Sequence, residues 1–401
     1  MLPIAFRHVP VTFLMILVVA QLAVARGESD VEDENLPRPL TMREDAYHAW
    51  TRAGCAPGIM GTNRYGRLAF RPAVSSRGIG AGEQQAWQVL GWTPGVLPAL
   101  PARERVIGLD LTQPDVTDET IRELAAFPRL RALNLAGSRI TDAAMEHLTS
   151  LKELRTVDLT KTAVTDAGVK HLAKLPQLRT LCLSYTAISD EGLKALAPLV
   201  ELRTLDLNRT ALSDAGLTGL SNMKHMRVLN LFGTKTTGDG LKHLASLTEL
   251  QILNLGSIQR MDDAGLKRLS PFKRLQLLDL ENARGVTDAG LKELAALPAL
   301  DTLHLAGASV TGSGFAELHD LKSLQTIVLS GSPVTDQGLA GFAGLTPLRS
   351  LDLSRTQVTD EGLKHLARLP LLQSVRAGRT KVTEAGAEEL KKTVPKVQVK
   401  W

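Results

Sequence analysis

The stretch LRTLDLNRTALSDAGLTGL, residues 202–220, decides the architecture of this chain. Leu205 and Leu207 alternate with polar neighbours, the period of a strand with one buried face. After a turn, Leu217 and Leu220 follow three apart, the period of a helix. A second copy, VDLTKTAVTDAGVKHLAKL at residues 157–175, holds two aspartates, several hydroxyl or basic groups and a histidine, and raises the question of an active site.

Repetition answers it. Aligned on the apolar-x-apolar pair, the chain repeats from Leu109/Leu111 to Val375/Ala377 in steps of 24 residues, with two consecutive steps of 25 after Leu255 and Leu280. Self-similarity of this kind predicts a solenoid, because one such unit cannot bury its own apolar face. Paired strands need about 4.8 Å per repeat whereas packed helices need roughly 8 to 10 Å, so the stack must curve. The expected fold class is an α/β repeat solenoid: a horseshoe with a parallel β-sheet on the concave face and helices on the convex face.

The pattern L-x-x-L-x-L-x-x-T-x-V-T-D-x-G-L-x-x-L resembles the leucine-rich repeats, most closely their cysteine-containing subclass, with threonine where that subclass often has cysteine or asparagine. The resemblance covers residues 106–401. It implies the solenoid fold and a binding scaffold, but no particular partner, since such repeats serve many unrelated ones.

Column by column, the polar residues acquire structural duties. Thr162, Thr186, Thr210, Thr234, Thr356 and Thr380, with Ser138 and Ser332, share one position after the strand, where stacked hydroxyls can satisfy turn backbone. Thr165/Asp166 recurs as Thr117/Asp118, Thr141/Asp142, Ser189/Asp190, Ser213/Asp214, Thr287/Asp288, Thr335/Asp336 and Thr359/Asp360, a helix N-cap followed by an acid that complements the helix dipole. Asp166–Lys170, Asp190–Lys194 and Asp360–Lys364 are spaced for i,i+4 pairs. His171 shares its slot with His147, His243 and His365, but also with Ala195, Arg268 and Glu293, so the column is read as solvent-facing. No metal ligand set, catalytic group or cofactor motif is expected: Gly78, Gly80 and Gly82 lack the dinucleotide-binding spacing, and His48 with Cys55 forms no nucleophile–base–orienter group. Asn208-Arg209-Thr210 has the pattern of a glycosylation sequon.

Binding information is expected where exposed columns vary. The central concave column runs Asp110, Asn134, Asp158, Cys182, Asp206, Asn230, Asn254, Asp279, His304, Val328, Asp352 and Arg376, close to a strand-start arginine column that would neutralise it. The column before it is Ala132, Thr156, Thr180 and Thr204, then turns apolar at Val228, Ile252 and Leu277. Phe232 lies in the same region, and the extra residues of the longer repeats fall in segments 256–261 and 281–285. Val228, Phe232, Ile252 and Leu277, flanked by Arg260 and Arg284, are therefore the expected partner-binding centre.

The ends set the address. Residues 1–25 read as a secretory signal peptide ending Ala23-Val24-Ala25, an uncleaved anchor being the alternative; residues 26–104 read as a lead-in and N-terminal cap, and 105–401 as the solenoid with its C-terminal cap. Removing residues 1–25 takes away Arg7 only, leaving 46 basic against 42 acidic side chains, too even a balance for a nucleic-acid binder. Cys55 and Cys182 are expected to stay unpaired. Val397 and Val399 are expected to form a last strand with Trp401 as its lid. The expected protein is an exported, periplasmic or extracellular, non-catalytic monomer that spans no membrane once cleaved and binds a protein, or a glycan, through its concave face. An enzyme's substrate-recognition part, or a ubiquitin-ligase-like adaptor, is the competing reading.

Overall fold

The computed structural model describes residues 49–50, 52–53, 55–64, 67–72, 84–90, 95–100, 106–113 and 115–401. The signal segment, His48 and the glycine run 78–82 lie outside the described residues.

Among the described residues one sheet of sixteen strands runs the length of the chain. It begins with β1 (Cys55–Thr62), β2 (Leu68–Pro72) and β3 (Gln84–Val89); from β4 (Gly108–Asp110) to β16 (Gln398–Lys400), each repeat adds one three-residue strand. From β3 onward fourteen strands lie parallel in chain order, while β1 is antiparallel to both β2 and β3. Leu205 lies opposite Leu181 and Leu229, so one sequence repeat becomes one step in space. The 25-residue repeats keep this register, with Leu253, Leu278 and Leu303 aligned. Their extra residues are absorbed in the turns.

Both leucines of each pair point inward. Leu202, Leu205, Leu207, Leu217 and Leu220 are fully buried, and the same column runs through a continuous core from Trp50 to Val399. At roughly 1.5 to 3 kcal/mol per buried leucine, this column is the main stabilising term. Opposite the sheet, short helices such as Asp166–Leu172 alternate with 3-10 segments such as Gly216–Leu220 and Gly238–Leu244. The chain is an α/β horseshoe with its parallel sheet inside.

The hydroxyl column works within each repeat rather than as a stacked ladder. Thr162, Thr186 and Thr210 each donate to the carbonyl three residues back, Leu159, Leu183 and Leu207, at 2.7, 2.6 and 2.8 Å. Ser332 reaches across to the preceding repeat, donating to the Leu305 carbonyl at 2.7 Å.

The threonine–aspartate column, by contrast, joins repeats. Thr165 caps its helix by accepting the Ala167 N–H, as expected. Asp142, one repeat earlier, accepts the Thr165 N–H at 2.7 Å and its hydroxyl at 2.6 Å. The same pair of bonds links Asp214 to Thr237 and Asp360 to Thr383. The expected i,i+4 pairs give way to this: Lys194 and Lys364 bind Glu191 and Glu361 instead, because the aspartates face the next repeat. In the next repeat a glycine makes room for the carboxylate, as Gly168 does for Asp142 and Gly192 for Asp166. A Cβ on Gly240 would overlap Asp214 Oδ1 and lie 2.6 Å from its Cγ.

At the N-terminal end Trp50 stacks on Trp87 with centroids 5.0 Å apart and meets Phe127 edge-on at 6.0 Å. At the other end Val397 and Val399 are buried around β16. Trp401 does not act as a lid: it is 49% exposed, since the valines already close the core.

Candidate functional site

The concave column read as exposed is in fact closed. Asp110, Asn134, Asp158, Cys182, Asp206, Asn230, Asn254, Asp279, His304, Val328 and Asp352 are buried, and Arg376 is half-buried. On the inner side of a curve, strands about 4.8 Å apart press equivalent side chains together. The acids and amides also fold back on their own chain. Asp158 Oδ1 accepts the Thr160 N–H, Asn254 Oδ1 that of Gly256 and Asp352 Oδ1 that of Ser354, each at 2.9 Å, forming an Asx turn as the chain leaves the strand.

Cys182, His304, Val328 and Arg376 cannot make that turn. His304 leans on Asp279 instead, Nδ1 to Oδ2 at 3.4 Å. Burial pushes the Asp279 carboxyl up, but the His304 hydrogen bond and charge, the Glu281 N–H and the Arg64 charge outweigh it and hold it below the ordinary carboxylate range. Two arginines of the strand-start column pair with glutamates. Arg131 pairs with Glu153 at 3.0 Å and Arg227 with Glu249 at 3.8 Å, on the turns before their neighbouring strands.

The β1–β2 hairpin lies across the concave face. Met60 packs with Ala86 and Ala132, joined by Leu68 and Phe70. The Leu68 N–H donates to Asp158 Oδ2 at 3.1 Å. Arg67 donates through Nε to Asp206 Oδ2 at 2.7 Å and through Nη2 to Ser184 Oγ at 3.0 Å. Burial opposes the Arg67 charge, but Asp206 and Asp158 favour it and its pKa is raised. Sequence reasoning gave this segment a capping role alone. The signal available was NRYGR at residues 63–67, two arginines in a turn between two strand-like stretches.

The expected binding centre is only partly assembled. Val228 and Ile252 lie side by side on neighbouring strands, both half-buried. Leu277 continues the row but is only 5% exposed, so it is core rather than surface, enclosed between Ile252 and Thr302. Arg260 and Arg284 are exposed on the turns beyond, and Arg260 sits 3.8 Å from Asp262. Phe232 lies against Gly256, where a Cβ would come within 2.7 Å of its ring.

Phe232 instead belongs to a ladder along the rim. Lys161 Nζ lies 5.5 Å from the Tyr185 ring centroid, and Arg209 Cζ lies 5.6 Å from Tyr185 and 5.8 Å from Phe232. Such contacts bring a cation over a ring face. Lys161, Tyr185 and Arg209 all have left-handed backbone, at φ 58°, 57° and 54°. The equivalent positions in other repeats are Gly137, Gly233, Gly307 and Gly331, which adopt it without a Cβ penalty, and Ser257, Asn282, Arg355 and Arg379, so this conformation belongs to the repeat turn. The ladder has consequences for the sequon as well. Asn208 is half-buried, and the Thr210 hydroxyl is engaged inward with the Leu207 carbonyl, so the sequon is not displayed as a glycan acceptor site would be.

Among the described residues no group of three or more His, Cys, Asp or Glu could hold a metal ion, and no helix is long and apolar enough to cross a membrane. Cys55 and Cys182 are buried thiols outside any disulfide, the former pushed up to about 11 by burial.

Repeat sequence and horseshoe together define the class. The leucine-rich repeat family pattern matches residues 174–197 and 344–367. The fold is similar to an internalin (InlF) from Listeria monocytogenes str. 4b F2365, at 23% identity and TM-score 0.52, covering 69% of this chain and 82% of that one. It is also similar to a leucine-rich repeat protein from Leptospira interrogans, at 19% identity and TM-score 0.54, covering 78% of this chain and 87% of that one. No curated protein matches the chain. The chain is a leucine-rich repeat protein, resembling bacterial proteins of that class in fold.

Proposed function

We propose that this protein is an exported, non-catalytic, monomeric scaffold that binds a protein partner at the rim and adjoining concave surface of its central repeats. The anchors are Tyr185, Arg209 and Phe232, with Val228 and Ile252 beside them and Arg260 and Arg284 on the flanking turns. One observation carries this reading. Three consecutive repeats bring Lys161, Tyr185 and Arg209 into one cation–aromatic ladder, and Arg209 continues it to Phe232 in the next. Arginine and aromatic side chains are also the groups that dominate protein interfaces. The N-terminal signal segment supports export.

The test is crosslinked capture of a partner by the mature chain, residues 26–401, in its native envelope fraction, followed by affinity measurement with the purified partner. Tyr185→Ala/Arg209→Ala and Phe232→Asp/Ile252→Asp should each weaken binding by about 100-fold, or about 2.7 kcal/mol, with a thermal midpoint within a few degrees of the parent. Unchanged affinity in both double variants overturns the proposal. An N-terminus near Arg26 on the recovered protein tests export.

A further inference from the structure

We propose that the β1–β2 hairpin is a displaceable strap that occupies the concave face in cis, latched by Arg67 on Asp206, and that its opening exposes the strip formed by Asp158, Cys182 and Asp206. A fixed cap would be welded into the solenoid core. The hairpin is rooted at its foot, where Cys55 belongs to the continuous core, but Met60 further along β1 belongs to a small separate cluster with Ala86 and Ala132. The contacts that carry the tip across to β6 (Thr156–Asp158) and β8 (Thr204–Asp206) are polar: the Leu68 N–H on Asp158, and the Arg67 bonds to Asp206 and Ser184. The Arg67 side chain is 32% exposed, so water and salt reach the latch.

The covered acids also favour opening. Burial raises the Asp158 carboxyl above its ordinary value, against hydrogen bonds from Thr160 and the Leu68 N–H. Rehydrating that carboxylate offsets part of what the hairpin loses when it lifts. Between leucine repeats, by contrast, the polar joints accompany a continuous apolar column. The tip of the hairpin is thus held across the face by polar contacts that water reaches, which is the physical content of a low-stability segment. A partner reaching the central concave strip must displace it, and its apparent affinity would be reduced to the fraction of time the strap is open.

Cys182 provides the readout. It lies fully buried in the strip, on the strand between Asp158 and Asp206, and Arg67 acts on its charge. The chain has only two cysteines, so maleimide labelling of the full chain followed by peptide mass spectrometry reports both thiols separately. Arg67→Ala should speed labelling of Cys182 about 10-fold, and Asp206→Asn, which keeps an oxygen for the Asn208 N–H, should do the same. Hydrogen exchange should rise over residues 55–70 and stay unchanged from β9 (Val228–Asn230) to β16. Equal Cys182 labelling in parent and both variants overturns the proposal. So does acceleration accompanied by faster exchange throughout the sheet, which would mean global unfolding rather than a strap.

Discussion

The carboxylate of Asp142 holds both the backbone N–H and the hydroxyl of Thr165, 23 residues away, at 2.7 and 2.6 Å. A pair of residues that looks like a helix cap in one repeat is thereby a joint between two. Its recurrence explains why the repeat carries aspartate and glycine two apart: the carboxylate of one repeat occupies the space a Cβ would take in the next.

This joint predicts a coupling between Asp214 and Gly240. Asp214→Ala, removing both bonds to Thr237, should cost about 1 to 3 kcal/mol, and Gly240→Ala alone a similar amount through overlap. With the carboxylate gone the overlap goes too. The double variant in urea unfolding should therefore fall short of the summed costs by at least about 1 kcal/mol, whereas additive costs would show the two residues to be independent.

Asn254 distinguishes a structural concave column from a displayed one. Its Oδ1 caps the Gly256 N–H inside a buried turn. Asn254→Ala should lower stability by about 1 to 2 kcal/mol in chemical denaturation. An exposed binding residue would give a change within roughly 0.5 kcal/mol.

Acid should weaken the array through Asp288. Burial pushes this carboxyl up, but the N–H groups of Gly314, Thr311 and Gly312 and the Thr311 hydroxyl outweigh it and hold it below its ordinary 3.8. A lowered acid contributes stability that is fully present above the unfolded-state value and lost as pH falls through the folded-state value. Asp279, lowered against His304, acts in the same direction. Urea midpoints should change little in response to these two groups from pH 7 to 5 and fall below about pH 4, with a shallower acid drop in Asp288→Asn.

The C-terminal end separates a strand from an ornament. Deleting residues 393–401 removes β16 with Val397 and Val399 and uncovers the edge of β15 (Ser374–Arg376), so the truncated chain should aggregate, visible in light scattering. Trp401→Ala should leave stability within about 0.5 kcal/mol of the parent. A soluble, monomeric truncation would show that β16 is dispensable.

Periodicity in the sequence determined the solenoid, its 24-residue step, its curvature and the inward leucines, because each of these follows from local spacing and from the unequal widths of strands and helices. The threonine caps were legible for the same reason: their partner is two residues away. Which polar columns meet water was decided only in the tertiary structure. Asp158 and Asn254 turn inward because neighbouring strands crowd them, and Leu277 is enclosed by strands 25 residues to either side. Arg67 reaches Asp206 across 139 residues. No repeat period encodes that contact; it exists because a hairpin outside the repeats folds back over the face they build.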